Sequence, residues 1–290
     1  MKRIFLCLAI LAVLASSAWA IPIYVVATVA DPTGGQVGKI IEYETSTTAE
    51  LLRFDVPAPV GPGWVGLAYA DDVLYYISGN DGVLYELDPI LGTVLDSTLI
   101  AGALNNVDGL ATLGGKVYIL DSTNDDLIVF DPALNTVDGT IDLSPTGVGF
   151  KGGLGTISGS SELIASAPGA GYFLTADLYS IDPATGLATW LLNASEMYDV
   201  YGVDTHEGIA YVAGYSFNSS GPPWSGPAEI QGYDTATGTY LGGGTPEGVT
   251  GLWALSIGEV TPAVIPEPGT LTLLGLGLLA AARRRRNRRR

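Results

Sequence analysis

One short turn recurs along this chain with the same chemistry each time. It reads Asp88-Pro-Ile-Leu-Gly92, Asp131-Pro-Ala-Leu-Asn135, Asp182-Pro-Ala-Thr-Gly186 and Asp234-Thr-Ala-Thr-Gly238. In the first three, proline presets φ at about −65° in the second position, and in all four the closing Gly or Asn accepts a positive φ. The segments around the turn recur as well, every forty-odd residues. Val65-Gly-Leu-Ala68, Asp72-Val-Leu-Tyr-Tyr-Ile77, Val83-Leu-Tyr-Glu-Leu87 and residues 93–100 form one copy. Asp108-Gly-Leu-Ala111, Lys116-Val-Tyr-Ile-Leu120, Leu127-Ile-Val-Phe130 and residues 136–143 answer them in the same order. A third copy holds Gly153-Leu-Gly155, 162–165, Leu178-Tyr-Ser-Ile181 and 188–192; a fourth holds Tyr201-Gly-Val203, Gly208-Ile-Ala-Tyr-Val212, Glu229-Ile-Gln-Gly-Tyr233 and 240–241. A supersecondary unit repeated at this length must stack on its own copies to bury a core.

Apolar residues alternate within each segment, so each copy reads as four short strands, A to D. The earliest copy, 21–28, 38–45 and 49–56, lacks strand A, and Gly251-Leu-Trp-Ala-Leu-Ser-Ile257 supplies a spare one at the far end. That strand completes the first unit and closes a ring, which removes exposed sheet edges. The fold expected for 21–260 is therefore all-β: a five-bladed β-propeller of four-stranded blades. The pattern resembles the NHL-like and related secreted propellers with Asp-Pro-x-Thr-Gly hairpins, and lacks the Trp-Asp and Gly-His signature of WD40 repeats. The resemblance implies architecture and no particular activity. The recurring acid (Asp88, Asp131, Asp182, Asp234, with Glu44 in the first copy) reads as a turn-former.

Charge and rare residues narrow the chemistry. Cys7 is the only cysteine and lies in the leader, so the body has neither disulfides nor cysteine-held metals. Between residues 31 and 267, only Lys39, Arg53, Lys116 and Lys151 face all thirty acids, a formal balance of −26. Such a body repels nucleic acid and anionic lipid. His206 is the only histidine, in an expected A–B turn, which excludes multi-histidine metal sites. No G-x-S-x-G, H-E-x-x-H or P-loop is present. No catalytic residue and no metal ligand is assigned.

Both ends carry addresses. Lys2 and Arg3 precede an apolar run to Leu14, and Ala18-Trp19-Ala20 offers a cleavage site, so 1–20 reads as a signal peptide for signal peptidase. At the other end Pro266-Glu267-Pro268 precedes an uncharged segment, 270–282, and an Arg-rich end, 283–290. As a helix that segment spans only about 20 Å, short for a membrane core of about 30 Å, and the arginines would stay cytoplasmic. A plain tail anchor and a basic tail for nucleic acid are the alternatives. Motif, apolar segment and basic stop, in that order, resemble the PEP-CTERM sorting signal of bacterial surface proteins. The resemblance covers about 264–290. It implies an exosortase-like protease as partner, passage through the inner membrane, and a host that makes exopolysaccharide. Residues 261–290 are then a sorting tail with a transmembrane helix.

Blade geometry places the A–B and C–D loops on one face and the B–C and D–A loops on the other. The second set varies in length, and binding concentrates on variable loops over a rigid scaffold. Candidates there are Asp108, Lys151 and Tyr201 near the channel mouth, Trp64 beside them, and Phe217 and Trp224 in the insertion 216–227. An exposed aromatic can stack on a sugar ring or a protein partner. Asn80-Asp81 and Asn124-Asp125-Asp126 offer oxygen ligands that would suit Ca²⁺, without EF-hand spacing. The expectation is an exported, non-enzymatic binding protein for a glycan or surface protein in an exopolysaccharide matrix. The competing expectations are a channel-centred enzyme, lactonase- or lyase-like, and a purely structural matrix protein.

Overall fold

Among the described residues, the alternation of apolar residues resolves into twenty strands. The computed structural model describes residues 21–33, 35–44, 49–58, 65–79, 81–100, 104, 106–169, 175–216 and 226–258. Blade 1 opens with β1 (Pro22–Ala30), β2 (Gln36–Glu44) and β3 (Glu50–Asp55). Blade 2 holds β4 (Val65–Ala70), β5 (Val73–Ser78), β6 (Val83–Leu87) and β7 (Val94–Leu99). Blade 3 holds β8 (Val107–Leu113), β9 (Lys116–Asp121), β10 (Asp126–Asp131) and β11 (Thr136–Asp142). Blade 4 holds β12 (Leu154–Thr156), β13 (Leu163–Pro168), β14 (Ala176–Ile181) and β15 (Ala188–Ala194). Blade 5 holds β16 (Met197–His206), β17 (Ile209–Ser216), β18 (Ala228–Asp234) and β19 (Tyr240–Gly244). The last strand, β20 (Val249–Ile257), pairs antiparallel with β1 and completes blade 1 in the order β20-β1-β2-β3. The ring of five four-stranded sheets is thus closed as the sequence pattern implies.

The inner strands carry small residues because they nearly touch. A Cβ on Gly66 would meet Leu110 Cβ at 2.6 Å, and one on Gly202 would meet the Ala254 carbonyl carbon at 2.6 Å. Any side chain at these positions would force neighbouring blades apart. Leu67, Leu110, Leu154, Val203 and Leu255 are buried in the same strands and fill the inner part of the core.

The recurring turn does two jobs. Locally, the Asp88 carboxylate accepts the Ile90 and Leu91 N–H groups at 2.8 and 2.9 Å, and Asp234 accepts those of Ala236 and Thr237 at 3.0 and 2.8 Å. The closing residue takes positive φ in each: Gly92 +65°, Asn135 +54°, Gly186 +70° and Gly238 +68°. Between blades, that residue rests on the outer strand of the preceding blade. A Cβ on Gly186 would lie 2.9 Å from the Asp142 carbonyl oxygen, and the Thr98 hydroxyl bonds the Asn135 side chain.

At the axis, Asp204 is fully enclosed and joins three blades. Its Oδ1 accepts the Thr156 N–H at 2.9 Å and the Thr156 hydroxyl at 3.0 Å; its Oδ2 accepts the Ile257 N–H at 2.9 Å and the Ser256 hydroxyl at 3.3 Å. Burial raises its carboxyl above the ordinary range, and the backbone N–H groups of Ile257, Thr156 and Thr205 pull it back. The ring continues around the axis, since Ser256 Oγ accepts the Tyr69 N–H at 2.9 Å and Thr112 donates to the Tyr69 carbonyl at 2.9 Å.

Candidate functional site

The D–A connection between blades 4 and 5 is short. Strand β15 runs to Ala194 and β16 starts at Met197. Two register breaks, between Met197 and Asp199 and between Val200 and Gly202, interrupt the pairing of β16 with β17. Such bulges re-aim side chains. Here Met197 and Val200 stay in the core, while Tyr198, Asp199 and Tyr201 line a cavity on the variable-loop face.

That cavity measures about 390 Å³ and is lined from three successive blades. Blade 3 contributes Asn106 and Asp108, blade 4 Lys151, Gly152 and Ser166, and blade 5 the β16 residues. Three of the candidates named from sequence, Asp108, Lys151 and Tyr201, therefore sit together. Trp64, Phe217 and Trp224 lie outside the described residues, as do Pro266, Glu267 and Pro268.

Lys151 is held by its backbone. Its N–H donates to the Ser166 carbonyl at 3.0 Å, and its carbonyl accepts the Ser166 hydroxyl at 2.7 Å. The next residue, Gly152, adopts φ of +92°, and a Cβ there would overlap the Val200 carbonyl oxygen. Only glycine lets this segment pass so close to β16. The side chain of Lys151 is exposed. The other cations of the body are paired: Lys39 with Asp55, Arg53 with Glu50 at 2.5 Å, and Lys116 with Asp131 at 2.5 Å and Asp138 at 2.6 Å. Among the described residues, no carboxylate lies within 4.0 Å of the Lys151 ammonium.

Two carboxyls face it from either side. Burial pushes Asp108 up to about 6; a hydrogen bond with Ser122 and the charge of Lys151 work against the rise, and Asp121 adds to it. Burial also raises Asp199, opposed by the Tyr201 hydroxyl, which donates to its Oδ2 at 3.2 Å, and by Lys151. Asn106 Nδ2 donates to Asp108 Oδ2 at 3.2 Å and Ser122 Oγ at 2.9 Å, while Asn106 Oδ1 is buried without a partner among the described residues. Beyond Tyr201 the ring of Trp253 sits 5.2 Å away and that of Tyr215 6.1 Å away, an aromatic trio across blades 5 and 1. The site thus offers an ammonium, titratable carboxyls, an open acceptor and aromatic surface.

The remaining candidates behave as turn chemistry. Asp81 accepts the Val83 N–H at 3.1 Å and the Tyr85 hydroxyl at 2.8 Å; Asn124 donates to Asp121 at 3.0 Å. Among the described residues, no three His, Cys, Asp or Glu side chains are grouped to hold a metal ion. His206 ends β16 on the opposite face, beside the turn residues Glu207 and Gly208 with φ of +47° and +79°. It borders a second cavity of about 300 Å³ at that end of the axis.

Comparison with known proteins gives the tail and the fold. Residues 264–286 match the PEP-CTERM protein-sorting motif. The chain carries that signal at its C-terminus, which marks an exported protein that passes through a membrane-anchored stage and is processed by exosortase-type machinery. No curated protein sequence matches the chain. A chain of the nidogen/laminin complex superposes with a TM-score of 0.50 at 15% identity, over 82% of this chain and 98% of that one. This similarity is one of fold. Glutaminyl cyclase of Myxococcus xanthus gives 0.45 at 18% identity, over 67% of this chain and 89% of its own. The Pan2 WD40 domain of Neurospora crassa gives 0.44 at 11%, over 79% and 67%. Among the described residues, no helix is long and apolar enough to cross a membrane, and the expected 270–282 segment lies outside them.

Proposed function

We propose that this protein is a sorted, non-enzymatic binding module of an exopolysaccharide matrix, and that its ligand is a glycan held in the cavity beside Lys151. In this reading 1–20 is a signal peptide, 21–260 the propeller and 261–290 the sorting tail, with 270–282 as its transmembrane helix. The observation that supports it is the meeting of Asp108, Lys151 and Tyr201 from three blades at one concave site of about 390 Å³. Sugars present donors and acceptors in close alternation, and a rigid pocket with both kinds of partner suits them. The reading also gives Trp224 and Phe217 of the 216–227 insertion a share in ligand contact.

The test is binding of residues 21–262 to the producer's exopolysaccharide and to a glycan panel, with and without Ca²⁺. Saturable binding that falls in Lys151→Ala and Trp224→Ala supports the reading. Absence of binding to every glycan shifts the proposal to a protein partner or a purely structural matrix role.

One observation favours an enzyme as the second reading. A carboxyl titrating at about 6 beside an ammonium is suited to general acid–base work near neutral pH. Product formation from lactones or glycans that disappears in Asp108→Asn would establish it.

A further inference from the structure

The charge inventory of the body singles out one group. Three of its four cations are neutralised at short range, and Lys151 is not paired with any described carboxylate. Its backbone is fixed on both sides by Ser166, and Gly152 fixes the path that follows. A long, flexible side chain on an immobilised backbone loses less freedom when a ligand orders it. The neighbouring Asn106 Oδ1 is a buried acceptor that lacks a partner among the described residues, which is costly unless a ligand supplies a donor.

We propose that the cavity seats a carboxylate-bearing sugar, a uronic-acid residue of an acidic polysaccharide, with its carboxylate on the Lys151 ammonium and a ring hydroxyl donating to Asn106 Oδ1. This rests on the glycan-binding reading and narrows it to one ligand class.

The surrounding acids set the conditions. The ionisable groups facing Lys151 are Asp108 from β8, with Asp121 of β9 acting on it, and Tyr198, Asp199 and Tyr201 from β16. A third carboxylate placed among Asp108 and Asp199 is favourable only when one of them is neutral. Both are raised by burial, so the site is prepared to take up a proton as the ligand enters. Capture then strengthens as the medium acidifies. The net acidity of the body repels the polymer at a distance, but salt screens that field beyond about 8 Å at physiological strength, and the contact at Lys151 is shorter ranged.

Isothermal titration of the full chain in a nonionic detergent, against a galacturonic acid trisaccharide and its neutral galactose counterpart, decides the matter. The acidic sugar is expected to bind about tenfold more tightly at pH 5 than at pH 8, with proton uptake on binding seen only above about pH 6, where Asp108 is ionised in the free protein. The neutral sugar is expected to bind more weakly and without that trend. Lys151→Met should abolish the preference, Lys151→Arg should retain it, and Asp108→Asn should flatten the pH trend. A melting curve for each variant checks its fold. Equal binding of both sugars, or a preference that survives in folded Lys151→Met, overturns this inference and leaves the glycan-binding reading standing. Failure of both sugars to bind at either pH overturns this inference, and the glycan panel then decides whether the broader reading also falls.

Discussion

The α-carbon of Gly152 lies against the carbonyl of Val200 so closely that even a methyl group would overlap the oxygen. This approach, at φ of +92°, joins the entry to blade 4 with the inner strand of blade 5 and fixes the point from which Lys151 departs. Gly152→Ala should therefore cost about 3 kcal/mol, from an unfavourable backbone region combined with overpacking. Urea unfolding checks the stability, and ligand titration should show a larger loss than Lys151→Arg causes.

Asp204 holds blades 4, 5 and 1 at the axis. Asp204→Ala would leave the buried N–H groups of Thr156 and Ile257 without acceptors, at about 3 kcal/mol in total. Asp204→Asn keeps one acceptor oxygen and should cost less. Chemical denaturation of the two variants gives the order.

The buried carboxyl of Asp108 makes a signed prediction. Its value rises from 3.8 to about 6 on folding, so its contribution is fully present below about pH 3.8 and is lost as pH rises through about 6. Asp108→Asn removes that loss. Relative to the native protein the variant should gain stability between about pH 4 and pH 7, by at most about 3 kcal/mol. A stability difference that stays flat across that range would contradict it.

The turn acid Asp182 has the opposite sign. Its carboxylate accepts the Thr185 hydroxyl at 2.7 Å and the Ala184 N–H at 2.9 Å, and these hold it below the ordinary carboxylate range. Its contribution is present above its unfolded value and fades as pH falls through the folded one. Melting temperatures of Asp182→Ala and the native chain should differ at neutral pH and converge in acid.

The blades were legible because their signals are local. Alternation marks each strand, and an Asp followed four residues on by Gly or Asn marks the C–D turns of blades 2 to 5; the unmatched 251–257 segment reveals the closure. Lys151 stood out because the body has only three other cations. Its neighbours were less legible, since Asp199 and Asn106 reach the cavity only through the bulges of β16 and the stagger between blades. No short-range pattern encodes that placement. Asp204 stands two residues before His206 and its expected A–B turn, yet it lies in the inner strand, where the glycine-thinned ring closes over it. The inter-blade role of Gly92, Gly186 and Gly238 was hidden for the same reason: the local turn already accounts for a glycine there.

The two ends of the folded ring meet at one hydrogen bond, from the Gly258 N–H to the Pro22 carbonyl at 2.9 Å. That junction replaces the A–B turn of blade 1, so the chain enters and leaves through the short-turn face. The cavity with Lys151 opens on the other. A load applied at Gly258 would be borne first by β20, the strand that locks the ring.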